Sequence, residues 1–179
     1  VSFSPDGRRL ACLQQSEQSV SVTLVAVDGS RPPVPLGSGA RNEASPVFSP
    51  DGRWIALAAD GDGYRVFVTD AAGSGKRWGV STGEGAEPVW SRSGRELFYR
   101  NGGQFYVVDV QPGPQFRAGR PRPLFEVPMA AVASSVPAYD VALDGSSFVA
   151  VLSPPERASP MELVYVPDWA SEVRRKLNA

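Results

Sequence analysis

Five residues, Phe48-Ser-Pro-Asp-Gly52, decide the fold because they recur along the chain. The same letters stand at Phe3-Ser-Pro-Asp-Gly7, and altered copies stand at Trp90-Ser-Arg-Ser-Gly94 and Val141-Ala-Leu-Asp-Gly145. The closing glycines lie 45, 42 and 51 residues apart. Self-similarity at a period of this size indicates an architecture built from a series of like units.

The repeated motif has the chemistry of a turn. Serine suits the first position of a type I turn, proline presets φ at the second, and aspartate suits the third. Glycine adopts the left-handed φ that follows. The motif therefore predicts a hairpin loop with a glycine bulge between two antiparallel strands. In the third copy Arg92 and Ser93 replace proline and aspartate, so we expect a less rigid turn there.

Short apolar segments flank every turn, and they are too short for helices. Inner strands that lead into the turns are predicted near Val47–Ser49, Val89–Ser91 and Tyr139–Ala142. Three sets of segments follow the turns: Arg9–Leu13, Trp54–Ala59, Glu96–Arg100 and Phe148–Leu152; then Val20–Val27, Arg65–Thr69, Phe105–Val110 and Glu162–Val166; then Val34–Leu36, Trp78–Val80 and Pro123–Phe125.

About four short strands in roughly 45 residues are typical of a propeller blade. The sequence therefore predicts an all-β fold, an arc of about four four-stranded antiparallel blades over 1–40, 41–82, 83–128 and 129–167. We expect residues 1–179 to be the C-terminal part of one β-propeller domain that belongs to a larger ring. Residues 168–177 read as a short C-terminal helix, with Asp168 as N-cap and one apolar stripe.

The repeat also predicts which residues form the core. The apolar residue four positions before each glycine is expected to occupy an equivalent buried site between neighbouring blades. These residues are Phe3, Phe48, Trp90 and Val141.

The S-P-D-G-R turn and the strands after it resemble the WD-repeat-like β-propellers of the TolB type, over nearly the whole chain. The stretch Gly119–Glu126, the residues Tyr139-Asp-Val141 and the ending around Trp169 resemble a narrower group. They are similar to the last blades of propellers appended to bacterial serine/threonine protein kinases and related signalling proteins. No kinase motif is present in the chain, so the resemblance implies a kinase outside it.

Composition excludes several classes of function. The chain has no histidine, which removes histidine-based triads, histidine general bases and histidine-ligated metals. Its single cysteine, Cys12, forms no intrachain disulfide and lies in an apolar segment, where a buried structural role is expected. A net charge of −1 favours neither nucleic acid nor an anionic membrane, and no apolar run is long enough to cross a bilayer.

Two segments resemble ligand-binding loops and fail on spacing. In Ala71-Ala-Gly-Ser-Gly-Lys-Arg77 the first glycine of a phosphate loop would fall at Asp70, and Arg77 replaces the magnesium-binding Ser or Thr. Asp60-Gly-Asp-Gly63 lacks the further acidic positions of a calcium loop. Both segments are interpreted as strand connections, and no catalytic, cofactor-binding or metal residue is assigned.

The candidate binding residues are those just before the inner strands. Loops of a propeller converge on its axis, so these residues are expected to face the tunnel mouth, by analogy with the fold. They are Arg41, Asn42, Glu43, Glu84 and Glu87.

Two functions follow from this interpretation. The first is a non-catalytic module that recognises a protein or small ligand at the propeller face. It would be part of a larger signalling protein of bacterial type. The second is an accessory propeller of a prolyl-oligopeptidase-like hydrolase whose catalytic domain lies elsewhere. The expected partners are that ligand and the remaining blades of the same protein, with no cofactor, no nucleic acid and no membrane insertion. The compartment would be extracytoplasmic if the protein were a membrane-anchored kinase, and otherwise cytoplasmic.

Overall fold

The structure is a computed structural model that describes residues 1–36, 42–111, 113–129 and 137–152, and the backbone of the strand at 163–166. Within these residues, sixteen strands form four antiparallel sheets that follow one another in chain order. The predicted helix at 168–177 lies outside the described residues.

The strands are as follows. Sheet 1 contains β1 (Ser2–Phe3), β2 (Arg9–Gln15), β3 (Val20–Ala26) and β4 (Val34–Pro35); sheet 2 contains β5 (Glu43–Phe48), β6 (Trp54–Gly61), β7 (Gly63–Asp70) and β8 (Arg77–Gly79); sheet 3 contains β9 (Ala86–Trp90), β10 (Glu96–Asn101), β11 (Gln104–Gln111), β12 (Arg117–Ala118) and β13 (Arg122–Glu126); sheet 4 contains β14 (Tyr139–Val141), β15 (Phe148–Val151) and β16 (Leu163–Val166).

Within each sheet, strands that are neighbours in the sequence pair with each other, except β12 and β13, and all these pairs are antiparallel. This confirms the prediction of an all-β fold of antiparallel units. Sheet 3 differs from the prediction because two outer strands share β11. Residues Arg117–Ala118 pair with its end, and Arg122–Glu126 pair with its earlier residues.

The turns between the first and second strands have the predicted geometry. In the second copy, Gly52 has φ 69° and its N–H donates to the Ser49 carbonyl at 2.8 Å. The Ser49 hydroxyl donates to Asp51 at 2.6 Å and accepts the Trp54 N–H at 3.0 Å. The third copy keeps this serine contact, since the Glu96 N–H donates to the Ser91 hydroxyl at 3.1 Å. The serine therefore closes the turn even without proline and aspartate.

The cores lie between consecutive sheets because side chains alternate along each strand. On β6, Ile55 and Leu57 join the core shared with sheet 1, whereas Trp54 and Ala56 join the core shared with sheet 3. A third core lies between sheets 3 and 4. β6 thus serves two interfaces, which explains why Trp54–Ala59 is apolar without interruption.

The core prediction is confirmed for Phe48 and Trp90, which are 6% and 7% exposed. Val141 is half-buried against the core between sheets 3 and 4. The prediction is wrong for Phe3, whose side chain is 62% exposed. Each of these residues points to the sheet before its own, and none of the described sheets lies on that side of sheet 1.

Candidate functional site: the groove along the inner strands

The first strands of the four sheets border a common groove. Its cavity measures about 350 Å³. Four residues that directly precede the core positions line it, one from each sheet: Ser2, Val47, Val89 and Asp140. The repeat therefore brings equivalent side chains together. The other lining residues are Val1, Ser45, Pro46, Pro88, Pro137 and Tyr139.

Proline protects the strand edges that border this groove. An inner strand has one unpaired edge, and proline is tolerated there because it has no N–H to leave without a partner. Pro46 and Pro88 occupy the same position in β5 and β9. The lining is therefore mainly apolar and rigid, and Asp140 supplies the only carboxylate among the described residues that line it.

The residues before these prolines have an unusual backbone. Ser45 has φ 50° and Glu87 has φ 55°, and both are buried. A left-handed conformation costs a residue other than glycine about 1–3 kcal/mol, so the surroundings must hold it. The pairing of β5 with β6 and of β9 with β10 shifts register at these points, which marks a bulge in each inner strand.

Glu87 joins sheet 3 to sheet 4. Its carboxylate accepts hydrogen bonds from the Arg100 guanidinium, including one of 2.8 Å from Nε, and from the Ala138 N–H at 2.9 Å. Its backbone oxygen accepts the Tyr139 hydroxyl at 2.8 Å. Burial, with a smaller effect of the Glu87 charge, raises the pKa of Tyr139 well above its usual value, so this hydroxyl stays a donor at neutral pH.

Glu43 joins sheet 1 to sheet 2 in a comparable way. Its carboxylate accepts the Val22 N–H at 2.6 Å and pairs with the Arg77 guanidinium. That guanidinium also donates to the Leu36 carbonyl at 3.1 Å and lies 6.0 Å from the centre of the Phe67 ring. Both glutamates therefore satisfy a buried backbone donor of the neighbouring sheet, and each brings an arginine to balance its charge.

These contacts correct the predicted site. Glu43 and Glu87 are 2% and 4% exposed and lie between sheets rather than at a tunnel mouth. The reason is physical, since each carboxylate meets an arginine and a backbone N–H inside the packed interface. Sequence reasoning missed both arginines, because nothing in the sequence links Glu43 to a residue 34 positions later.

Two other predicted residues, Asn42 and Glu84, lie around one hairpin, the β6–β7 turn at Asp60–Gly63. The Asn42 side chain donates to Asp60 at 3.4 Å, and the exposed Glu84 side chain lies against Gly63. Arg41 lies outside the described residues. The structure therefore brings Asn42 and Glu84 to the same end of sheet 2, but it separates them from the buried glutamates.

The two loop-like segments are strand connections, as predicted. Asp60–Gly63 forms the tip of the β6–β7 hairpin, and the loop after Asp70 leads from β7 to β8. Asp70 accepts the N–H groups of Ala72 and Ser74 at 3.1 Å each, which shapes that loop. The described part of the chain contains no group of three or more acidic or cysteine side chains placed to share a metal ion. It also contains no helix of the length and apolarity that a bilayer crossing needs.

No protein-family model matches the sequence, and no curated protein matches it. Solved structures resemble it in fold. TolB from Acinetobacter baumannii aligns with a TM-score of 0.70 and 16% identity, over 93% of this chain and 40% of TolB. Oligogalacturonate lyase from Vibrio parahaemolyticus gives 0.63 and 12%, over 94% and 50%. A prolyl endopeptidase gives 0.55 and 13%, over 89% and 26%.

At these identities the likeness concerns the fold alone. The four sheets have the fold of β-propeller blades like those of TolB, which confirms the predicted architecture. The chain spans half or less of the length of these three proteins. The narrower resemblance to kinase propellers stays a prediction.

Proposed function

We propose that the chain is a non-catalytic recognition module whose inner-strand groove receives a protein segment or small ligand, within a larger signalling protein. The observation that carries this proposal is the lining of the groove. Equivalent positions of four blades meet there, and they present proline, valine and serine around one carboxylate. Concave, mainly apolar surfaces with few polar groups are typical of binding sites.

The lining also defines the chemistry of the ligand. Val47 and Val89 are half-buried and offer apolar contact, whereas Asp140 is exposed and negatively charged. A ligand that pairs an apolar surface with one positive group fits both features. An extended peptide with a lysine or arginine beside apolar residues has this chemistry.

The Glu87 carboxylate and the Tyr139 hydroxyl, both close to the groove, are committed to structural contacts, which supports recognition rather than catalysis. The Glu87 carboxylate holds Arg100 and the Ala138 N–H, and the Tyr139 hydroxyl holds the backbone of Glu87. A general acid or base must be free to reach a substrate proton. Asp140 is exposed, but it has no second carboxylate beside it among the described lining residues.

The alternative is an accessory propeller in a hydrolase of the prolyl-oligopeptidase type. The observation that supports it is the similarity in fold to a prolyl endopeptidase over 89% of this chain. In that case the catalytic groups would lie outside this chain, and the groove would screen substrates.

A selection experiment tests the proposal. Peptides from a displayed random library are selected on the immobilised chain and on its Asp140→Asn variant. We expect the chain to enrich sequences with a basic residue beside apolar residues, and the variant to lose that basic preference. Peptide hydrolysis by the purified chain that Asp140→Asn abolishes would contradict the proposal.

A further inference from the structure

A second cavity, of about 550 Å³, lies at the turn end of sheets 1 and 2. It is bordered by the first turn of the repeat, by the loop that joins β3 to β4, and by the loop that follows β7. It shares no lining residue with the groove along the inner strands. We call this space, between Arg8, Arg31, Leu24, Val34 and Ala71, the turn-side cavity.

The equivalent place between sheets 2 and 3 is filled by a ring. Val34 in β4 corresponds to Trp78 in β8, since each pairs with the equivalent residue of the third strand of its sheet. Arg9 corresponds to Trp54, since each follows its turn glycine by two residues. The ring of Phe116, from the loop between β11 and β12, lies 5.5 Å from that of Trp54 and 5.7 Å from that of Trp78. The corresponding place between sheets 1 and 2 is the turn-side cavity, whose described lining includes no aromatic ring.

Two arginines of the cavity lack an acceptor. Within the described part of the chain, neither the Arg8 nor the Arg31 guanidinium has a hydrogen-bond or ion-pair partner. In sheet 2 the position of Arg8 is held by Arg53, which donates to the Gly113 carbonyl at 3.4 Å, in the loop that carries Phe116. The filled site therefore supplies an oxygen acceptor together with a ring, and the turn-side cavity is open to a ligand that supplies both.

The two carboxylates at the cavity are held by the turns themselves. Asp6 accepts the Ser4 hydroxyl at 2.5 Å and the Arg8 N–H at 3.0 Å. Asp28 accepts the Ser30 N–H at 2.9 Å. These hydrogen bonds lower the pKa of both carboxyls, so both stay charged near neutral pH. The lining as a whole carries three arginines and two aspartates, so one negative charge on a ligand is attracted and further ones are repelled by the aspartates.

We infer that the turn-side cavity binds a monocarboxylate that carries an aromatic ring. The carboxylate pairs with the guanidiniums of Arg8 and Arg31, whose planar forks suit its two oxygens. The ring packs on Leu24 and Val34, in the place that corresponds to Phe116. This chemistry is shared by free arylalkanoic acids and by the C-terminus of a peptide that ends in phenylalanine. The volume of the cavity lies within the usual range of ligand sites.

Titration of the purified chain with 3-phenylpropanoate, followed by amide chemical shifts, tests this inference. We expect saturable shifts at Ser30 and Ala72, which line the cavity. The neutral 3-phenylpropanamide keeps the ring and should bind at least about tenfold more weakly, as should the acid to an Arg8→Gln, Arg31→Gln double variant. Arg95→Gln is the matched control, because Arg95 also follows a turn glycine but does not line the cavity, and it should bind the acid as the unmodified chain does.

A second pair of variants separates this cavity from the groove. Val34→Trp introduces the residue type of the equivalent Trp78 and fills the cavity while both arginines remain, so we expect at least about tenfold weaker binding of the acid. Val89→Trp fills the groove instead and should leave this affinity unchanged. Equal affinities for the acid and its amide, or unchanged affinity in the folded arginine double variant or in folded Val34→Trp, would overturn the inference.

A tetrapeptide that ends in phenylalanine, compared as the free acid and as the C-terminal amide, identifies the source of the carboxylate. If the free-acid peptide binds more tightly than 3-phenylpropanoate, the cavity receives a chain terminus, and if it binds more weakly, the cavity receives a free acid. Both results support the inference. An amidated peptide that binds as tightly as the free-acid peptide would contradict it.

Discussion

The Tyr139 hydroxyl donates a 2.8 Å hydrogen bond to the backbone oxygen of Glu87, across the interface between sheets 3 and 4. Glu87 has a left-handed backbone conformation and lies at the bulge of β9, so this hydrogen bond is made at the bulge. Since Tyr139 also lines the groove, the contact that joins two blades also shapes the candidate binding surface.

Removing this hydroxyl should weaken the fold. Tyr139→Phe leaves a buried carbonyl without its partner, so we expect a loss of about 1–3 kcal/mol in the free energy of unfolding. Tyr106→Phe is the control, because no described residue bonds its hydroxyl; its cost should stay below about 0.5 kcal/mol. Urea unfolding followed by circular dichroism measures both, and equal costs would show that the Glu87 contact contributes nothing.

The Glu87–Arg100 pair should matter far more than a surface pair. The two side chains are 5% and 11% exposed, so Arg100→Met leaves a buried carboxylate without its cation, at a cost of about 3–5 kcal/mol. The Arg122–Asp109 pair is 57% and 64% exposed, and Arg122→Met should cost less than about 1 kcal/mol.

A double-mutant cycle checks that the cost belongs to the pair. The double variant Glu87→Gln with Arg100→Met should lose less unfolding free energy than the sum of the single changes. The reason is that two neutral side chains leave no buried charge without a partner. Strict additivity in urea unfolding would contradict the assigned pairing.

Glu96 should make stability depend on pH. Burial, and then the nearby Asp109 charge, raise its pKa above the ordinary 4.5, while Arg122 opposes them. A raised carboxyl pKa stabilises the fold below the unfolded pKa, and this contribution is lost as pH rises through the folded pKa. Glu96→Gln should therefore raise the unfolding midpoint at pH 7. This gain should vanish when the pH falls below the ordinary glutamate pKa of 4.5. A Glu96→Gln gain that is the same at pH 4 and pH 7 would mean that the charge of Glu96 has no part in it.

Alanine substitutions at the core positions should differ in their effect on the free energy of unfolding, because a neighbouring sheet of the described chain packs on Trp90 but not on Phe3. Trp90 packs between sheets 2 and 3 and donates from its indole N–H to the Val47 carbonyl at 3.3 Å. Trp90→Ala should therefore cost about 3–5 kcal/mol, whereas Phe3→Ala should cost less than about 1 kcal/mol in the chain as given. Similar costs would show that the repeat alignment is wrong.

The fold could be predicted from the sequence because its strongest signals are local. The turn at Ser49–Gly52 needs those residue types in that order, and its recurrence gives the number and order of the sheets. Arg9 shows what local patterns leave out, since its carbonyl partners at Gly52 and Ala71 lie more than 40 residues away.

The candidate site was harder to predict, because position in the repeat suggested exposure. Glu43 and Glu87 come just before the predicted inner strands, where the loops of a propeller converge, which favoured a place at the tunnel mouth. Their burial depends on Arg77 and Arg100, and only the folded interface brings these groups together. Nothing in the residue types of Val47 and Val89 indicates a binding groove. Their equivalent positions in the repeat, however, would have been enough to group them.

The measurement that tests the central claim most directly is the dissociation constant of a selected peptide for the chain and for two tryptophan variants. Val89→Trp fills the groove, and Val27→Trp adds the same ring at a site that is 55% exposed and does not line it. We predict that Val89→Trp weakens binding by about tenfold or more, a loss of roughly 1.4 kcal/mol, while Val27→Trp binds as the unmodified chain does and both keep its melting temperature. Unchanged affinity in a folded Val89→Trp variant would contradict recognition at the groove.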